Sequence, residues 1–402
     1  MMESQTETSA NELGSVDTFP VPMRALLAGA RKKHSQLLDL TTRLVLAESP
    51  SDNKAAVDTC MDLAAEHTKL LSGRVKRHRQ RAWGDVLELR LGPRKAANRT
   101  LVLGHLDTVW PLGTLKSMPC RTAPDAAGNA RLWGPGTLDM KAGVAMAFTA
   151  IEMLLETSQL KNEIILLLNS EEEVGSPVSR PVTEKLAQES TAVYVLEPAQ
   201  GLAYKTSRKG TGNWKLTVHG LAAHAGVDFT RGRSAILELA RQIEKVSAWT
   251  DLQRGTTINA GVVGGGTKSN VIPAEAWAEI DVRIAKRADG PRMEKRFAAL
   301  KTTPKSGTTL VVEGGINRPP MERTRGTIQL FRRAQAFAAE LDWQLNEAGT
   351  GGASDGNFTS ALGIPTLDGM GAVGEGAHAT HESILIDHLA PRTALLAAML
   401  AD

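Results

Sequence analysis

Apolar runs of strand length, each followed by polar residues, recur through the first half of the chain. Residues 164–168 precede three consecutive glutamates, residues 100–103 lead to His105, and residues 192–196 lead to Glu197. Uninterrupted apolar runs are typical of parallel strands buried on both faces, and segments of helical periodicity separate them here. The pattern predicts a layered α/β domain with a mostly parallel sheet. Such sheets bind ligands at the carboxyl ends of their strands, so the polar residues there are candidates for chemistry.

The pattern changes after residue 203. Short alternating strands, among them 256–263, and amphipathic helices, among them 234–249, fill the next stretch, and the first pattern then resumes. This order is typical of a small α+β domain of ferredoxin-like type. We predict that residues 204–318 form a domain inserted into a larger one, which consists of 21–203 and 319–402.

The sequence also predicts local structure in four shorter segments. Residues 1–20 are polar with little to bury, which predicts a disordered tail. Helical periodicity predicts a helix at 140–156, and short apolar stretches predict strands at 204–208 and 343–347.

Composition and charge argue against a nucleic-acid-binding or membrane-bound protein. The 402 residues carry 47 basic and 44 acidic side chains, a formal charge of +3, with no Lys/Arg-rich block, so we expect no nucleic-acid partner. No apolar stretch approaches the length needed to span a bilayer, so we expect no membrane partner. Two cysteines, Cys60 and Cys120, are too few for a disulfide framework, which favours a reducing cytoplasm.

Histidines and carboxylates are offered from separate loops. His105 and Glu197 follow strands, Asp139 begins a helix, three glutamates follow residues 164–168, and His378 lies in a glycine-rich loop. This nitrogen and oxygen donor set suits zinc, or cobalt and manganese. The plainer alternatives are a solvated acidic turn for the glutamates and a helix cap for Asp139.

Several motifs together resemble one known family. They are GHLDTVW, GPGTLDMKAG, NSEEEVGS, VLEPA, RKGTGNWKLTVHGLAAHAG, GGTKSNVIPAEAWAEIDVR, NRPPMERT, GTGGASDGN and GIPTLDGMGAVGEGAHATHE. In this order they resemble the glutamate carboxypeptidase and aminoacylase group of di-zinc exopeptidases, from about residue 40 to the end. The resemblance implies a di-zinc exopeptidase-like fold, with a catalytic di-metal domain at 21–203 and 319–402 and an inserted lid or dimerisation domain at 204–318. It also implies two Zn²⁺ per chain, with Co²⁺ or Mn²⁺ as alternatives. It implies less about the substrate, because the family cleaves many amides.

The resemblance also implies roles for individual residues. Asp107 would fix the tautomer of a metal-binding histidine, and Glu172 would be the general base. Glu171 could shift that assignment by one position, and His381 competes with the last ligand. The implied metal ligands are His105, Asp139 as the bridge, Glu173, Glu197 and His378.

The remaining assignments concern the substrate. His224 resembles the residue that stabilises the developing oxyanion. Other positions resemble those that hold the free carboxylate of the leaving amino acid, although a surface charge at a domain hinge is the alternative for the arginine. These positions are Arg318, Asn270, Gly351 and Gly352. Hydrolysis of a C-terminal, glutamate-type residue from an N-acyl or peptidyl substrate is therefore implied. The alternatives are an N-acyl amino acid or small-amide deacylase and a catalytically decayed binding module.

The last expectation concerns the oligomeric state of the protein. In the family that this chain resembles, the small domain forms a homodimer and the histidine of the H-A-G motif, here His224, reaches the partner's metals. The predicted strand 256–263 carries few charges and could pair across a two-fold axis, with the helix 234–249 beside it. A monomer whose strand is covered by its own chain is the alternative.

Overall fold

The structure is a computed structural model that describes residues 22–401. The tail predicted at residues 1–20 lies outside the described residues. None of the helices within 22–401 is long and apolar enough to cross a membrane.

A six-stranded sheet, the large sheet, lies at the centre of the molecule. Its last four strands in spatial order are mutually parallel, and its first two form an antiparallel ribbon at one edge. The predicted layered α/β fold with a mostly parallel sheet is therefore confirmed. In spatial order the strands are Arg74–His78, Val86–Leu91, Glu163–Asn169, Arg99–His105, Ala192–Val195 and Thr366–Leu367.

Helices cover both faces of the large sheet. Alternate residues of its central strands point to opposite sides, so each face carries its own apolar cluster. Leu166 and Leu168 join one apolar cluster, whereas Ile165 and Leu167 join another. The smaller cluster is covered by Arg180–Gln188, with Gly356–Ala361 beside it. The larger cluster is covered by Met23–Lys32, His34–Leu46, Lys54–Leu70, Ala142–Glu156, Arg325–Ala339 and Leu389–Ala401.

A four-stranded antiparallel sheet, the small sheet, has its own core. Its strands alternate buried and exposed residues, and helices Ala235–Ser247 and Asp289–Ala298 pack on the buried face around Leu216 and Phe297. The strand order is the ferredoxin-like one that was predicted, and the opposite face stays open. In spatial order the strands are Thr257–Gly265, Glu275–Ile284, Gly210–His219 and Thr309–Arg318.

The remaining strands are short and form three small sheets. Arg121–Pro124 and Ala130–Trp133 form a hairpin that continues into Ser383–Leu385 and Gly374–Glu375. Ala223–His224 pairs with Val271–Ile272. Tyr204–Arg208 pairs in parallel with Glu347–Thr350.

This last pairing bears on two sequence expectations. The strand predicted at 343–347 is wrong, because the chain becomes extended only at Glu347–Thr350, where a distant segment offers a partner. Tyr204–Arg208 therefore pairs with a segment that was assigned to the catalytic part. We propose that the inserted domain begins near Gly210 and not at residue 204.

The helix predicted at 140–156 begins later, at Ala142. Asp139 and Met140 have non-helical backbone angles, with φ and ψ of −115° and 91° at Asp139. The segment before the helix is thus a turn that presents the Asp139 side chain at the edge of the large sheet.

Candidate active site

A cavity of about 520 Å³ lies between the carboxyl ends of the large-sheet strands and the open face of the small sheet. Most of the candidate residues from the sequence border it, together with polar side chains of the small sheet. The lining residues are Asp139, Glu172, Glu173, Val174, Gly175, Glu197, Thr211, Asn213, Asp281, Arg283, Asn317, Arg318, Gly352, Ala353 and His378.

Imidazole and carboxylate groups form two half-sites at the bottom of this cavity. In the first, His105 Nε2 lies 3.2 Å from Asp139 Oδ1 and 3.7 Å from Glu197 Oε1. In the second, His378 Nε2 lies 3.4 Å from Asp139 Oδ2 and 3.1 Å from Glu173 Oε2. The two oxygens of Asp139 therefore face different half-sites, which is the arrangement needed by a carboxylate that bridges two ions.

Asp107 is buried behind the first half-site and holds several groups in place. His105 Nδ1 lies 3.0 Å from the Asp107 carbonyl oxygen and 3.4 Å from its Oδ1 atom. The Asp107 carboxylate also accepts hydrogen bonds from the backbone N–H groups of Glu172 and Glu173, at 3.1 and 3.2 Å, and from Ser51 Oγ. One side chain thus fixes the histidine ring and the backbone that carries both glutamates.

The three consecutive glutamates point in different directions. Glu173 contacts His378 in the second half-site and also lies near His105 and Asp139, whereas the Glu172 carboxylate lies close to His105 and Glu197. Glu171 is fully buried and accepts hydrogen bonds from Ser170 Oγ and from the backbone N–H groups of Val178 and Ser179. Its carboxylate is therefore used within the fold and does not line the cavity.

The electrostatics of the half-sites fit bound cations. Burial raises the pKa of Glu172 well above its ordinary value, raises that of Glu173, and raises that of Glu197 to about 7. Hydrogen bonds to Asp139 and Glu173 raise the pKa of His378 to about 10. Burial is the main cause for the three glutamates, with repulsion between neighbouring acids adding to it, whereas His378 gains from the acids beside it. A divalent ion in each half-site would balance the negative charge of these carboxylates. The nitrogen and oxygen donors suit zinc, cobalt or manganese.

Arg318 borders the cavity but is already engaged with protein groups. Its Nη2 atom lies 2.9 Å from Glu172 Oε1, 2.9 Å from Asp355 Oδ1 and 2.9 Å from Ser176 Oγ. Glu172 Oε1 nevertheless has no directed hydrogen bond among the described residues. The contact with Arg318 is therefore a close ion pair without the alignment of a hydrogen bond.

The other sequence candidates are spread more widely. Gly352 lines the cavity, whereas Gly351 is exposed beside it. His224 and Asn270 are both exposed and neighbour each other, since the Ala225 N–H donates to the Asn270 carbonyl at 3.0 Å, and neither lines the cavity of its own chain. His381 is exposed and belongs to neither half-site.

Some residues at the site received no role from the sequence. Glu382 is buried and accepts hydrogen bonds from the N–H groups of Gly136, Leu138 and Asp139 and from Trp110 Nε1, so it holds the loop that carries Asp139. Arg283 lines the cavity from the small sheet. Both lie inside the quoted motifs. The G-A-H-A-x-x-E pattern puts Glu382 where the family that this chain resembles has an acid, whereas no local pattern separates Arg283 from a surface charge.

The comparisons with known proteins agree with this geometry. A model of peptidase family M20/M25/M40 matches residues 101–402. The chain is a member of this family. It is 28% identical to carboxypeptidase G2 from Pseudomonas sp. (strain RS-16) over 313 residues, which cover 76% of this chain and 74% of that protein. It is 25% identical to the succinyl-diaminopimelate desuccinylase of Stenotrophomonas maltophilia (strain R551-3) over 88% of this chain and 96% of that protein.

Solved structures of M20/M25/M40 type share the fold. Aminopeptidase PepT from Bacillus cereus superposes with a TM-score of 0.75 at 22% identity, covering 92% of this chain and 98% of that one. A dinuclear metal-binding peptidase of the M20 family from Bacillus subtilis superposes with a TM-score of 0.66 at 16% identity, with the same coverage. These structures show the shared fold, whereas the family match and the two curated relatives show that the chain is an enzyme of the peptidase and amidohydrolase kind. The binding module that the sequence left open is set aside.

Proposed function

We propose that the enzyme hydrolyses the amide bond between an N-acyl or peptidyl group and a C-terminal amino acid of glutamate type, with two Zn²⁺ ions. The observation that carries this proposal is the pair of half-sites joined by Asp139, with Glu172 next to them in a cavity that two arginines border. Glutamate offers two carboxylates, and Arg283 and Arg318 both border the cavity. Each also pairs with protein carboxylates, Arg283 Nε with Asp281 at 2.9 Å and Arg318 Nη2 with Glu172 and Asp355, so a substrate carboxylate would take their remaining N–H groups. The similarity to carboxypeptidase G2 supports the same choice.

His105, Asp139, Glu173, Glu197 and His378 would hold the metal ions. Bound there, the ions would lower the pKa of a water molecule and polarise the scissile carbonyl. Glu172 lies next to His105 and Glu197, so it would take a proton from that water and later return it to the leaving nitrogen.

His224 would act on the site of a partner subunit in a homodimer. Its Nδ1 atom accepts hydrogen bonds from the Gly226 and Val227 N–H groups at 3.1 and 3.2 Å, so its Nε2 atom carries the proton and can donate to an oxyanion. The exposed position of the ring and of Asn270 next to it supports action between chains. Two unpaired cysteines, Cys60 and Cys120, favour a cytoplasmic location.

Acyl-glutamates, N-acetyl amino acids and dipeptides, offered to the metal-reconstituted enzyme, test the substrate. We expect two metal ions per chain and the highest kcat/KM on acyl-glutamates. Equal rates on other N-acyl amino acids would instead favour a general deacylase, the second candidate, which the similarity to the desuccinylases supports. Fewer than two bound metals in an active enzyme would contradict the two-metal mechanism.

A further inference from the structure

The two carboxylate oxygens of Glu197 face different partners. Oε1 lies 3.7 Å from His105 Nε2, in the first half-site. Oε2 lies 3.4 Å from Nη2 of Arg208, a residue to which neither the sequence motifs nor the proposed mechanism gives a role. The contact with Arg208 therefore holds Oε2 away from the half-site and directs Oε1 toward His105.

Arg208 is itself held rigidly. Its Nε and Nη2 atoms donate to the two oxygens of Asp368 at 2.8 and 2.6 Å, which is the two-point geometry that a guanidinium forms with a carboxylate. Ser354 Oγ donates to the same Asp368 at 2.6 Å. Arg208 is 4% exposed and Asp368 is fully buried, so solvent does not compete for these contacts.

The third nitrogen of Arg208 reaches the wall of the cavity. Nη1 donates to the carbonyl oxygens of Gly352 and Ala353, both at 3.3 Å, and these two residues line the cavity. One buried side chain therefore connects the carboxylate of Glu197 with the segment expected to contact substrate.

We propose that Arg208, clamped by Asp368, is a positioning residue that holds Glu197 in a one-oxygen orientation toward the first half-site and fixes the Gly352–Ala353 wall. This inference rests on the proposed function, because it takes Glu197 as a metal ligand. Lysine cannot replace the guanidinium, because a single ammonium group cannot contact Asp368, Glu197 and the wall with the same geometry.

The primary test is Arg208→Lys in the full chain, with Zn²⁺ affinity measured for each binding step by competition with a chelator. We expect one step to weaken by about 10- to 100-fold, the usual effect of losing a partner that orients a metal ligand, and the other step to stay unchanged. KM for amide substrates should also rise, because the cavity wall loses its anchor.

Arg392→Lys is the matched control. Arg392 is also fully buried and donates to the carbonyls of Gly369 and Gly371, near Asp368 in the chain, but no contact joins its guanidinium to the Glu197 carboxylate among the described residues. It should lower the melting temperature while leaving both Zn²⁺ binding steps unchanged.

Should Arg208→Lys fail to fold, the double variant Arg208→Gln/Asp368→Asn replaces the buried ion pair by a neutral amide pair. The same loss in one binding step is expected. The inference is overturned when both steps weaken equally, when neither changes, or when Arg392→Lys gives the same loss. These outcomes are distinguishable from a failure of the proposed function. If the proposed function holds, the unaltered enzyme binds two Zn²⁺ ions per chain, and if it fails, the unaltered enzyme binds fewer than two.

Discussion

Adjacent glutamates in one short turn differ here only in the direction of their side chains. Glu171 is bonded within the fold, whereas Glu172 and Glu173 face the cavity. We expect Glu172→Gln to retain both metal ions and to lower kcat by about 10²- to 10⁴-fold, because proton transfer alone is lost. Glu173→Gln should lose one metal ion per chain. Metal analysis beside kcat measures both effects.

Glu171→Gln is the control for these variants. Its carboxylate accepts backbone hydrogen bonds remote from the cavity, so it should lower thermal stability but keep both metal ions. An exchange of the outcomes for Glu172 and Glu173 would mean that the roles of base and ligand are reversed.

A second prediction concerns the side chain of Arg318. Arg318→Ala should raise KM more for substrates with a free α-carboxylate than for their amides or esters, since only the former can bind the guanidinium. It should also lower kcat on both, because Glu172 loses its ion-pair partner. The ratio of kcat/KM between acid and ester substrates is the measurement. An unchanged ratio would exclude Arg318 as the carboxylate-binding residue.

Whether the role of a residue could be predicted from the sequence depends on how local its contacts are. His105, Asp139 and His378 stood out because each follows a recognisable strand or turn pattern. The contacts of Arg318 with Glu172 and Asp355, and of Arg208 with Glu197, join segments more than 10 residues apart in the chain. Periodicity and spacing carry no information about such distant pairs, so those contacts became visible only in the structure.

At the scale of elements, the strongly periodic segments were predictable and the nonlocal ones were not. The buried strand Glu163–Asn169 and the helix Ala235–Ser247 lie within two residues of their predicted bounds. The strand Glu347–Thr350 was misplaced because its extended form depends on pairing with Tyr204–Arg208, far away in the chain. The delayed start of Ala142–Glu156 likewise follows from the turn at Asp139.

The edge of the large sheet offers a stability prediction. Glu88 is buried opposite the edge strand, and although burial alone would raise its pKa, hydrogen bonds from Arg90, His78 and Lys76 lower it to about 2. Its ionised form therefore stabilises the fold above the ordinary pKa of 4.5, and that contribution is lost as pH falls toward 2.

We expect Glu88→Gln to lower the free energy of unfolding by roughly 1 to 3 kcal/mol at pH 7, because charge-assisted hydrogen bonds are lost. The difference from the unaltered enzyme should shrink as pH falls below about 4.5. Urea unfolding at several pH values measures it. Glu184→Gln, in the more exposed Arg180–Glu184 pair, is the control and should cost less than about 0.5 kcal/mol. A difference that does not depend on pH would contradict the ion-pair explanation.

Considering the whole molecule, the small sheet has an edge at Thr257–Gly265 that no other strand within residues 22–401 covers. Val262 and Val263 on this edge strand are half or more exposed, at 50% and 64%. Ile236 and Leu237 at the start of the neighbouring helix are also exposed. An unpaired strand edge beside exposed apolar side chains is typical of a surface that pairs with a second copy. His224 lies in the same domain, outside the cavity of its own chain.

These observations lead to a complementation experiment. His224→Ala and Glu172→Gln should each be inactive alone, because each removes one part of every active site. When the two variants are mixed after reversible dissociation, half of the dimers are mixed, and one of the two sites in each combines an intact Glu172 with an intact partner histidine. Up to about a quarter of the activity should therefore return. Glu172→Gln mixed with Glu197→Gln is the matched control. Both residues belong to the cavity of one chain, so no mixed dimer contains an intact site and no activity should return. A monomer in sedimentation at micromolar concentration, or no recovery in verified mixed dimers, would mean that His224 does not act on a partner's site.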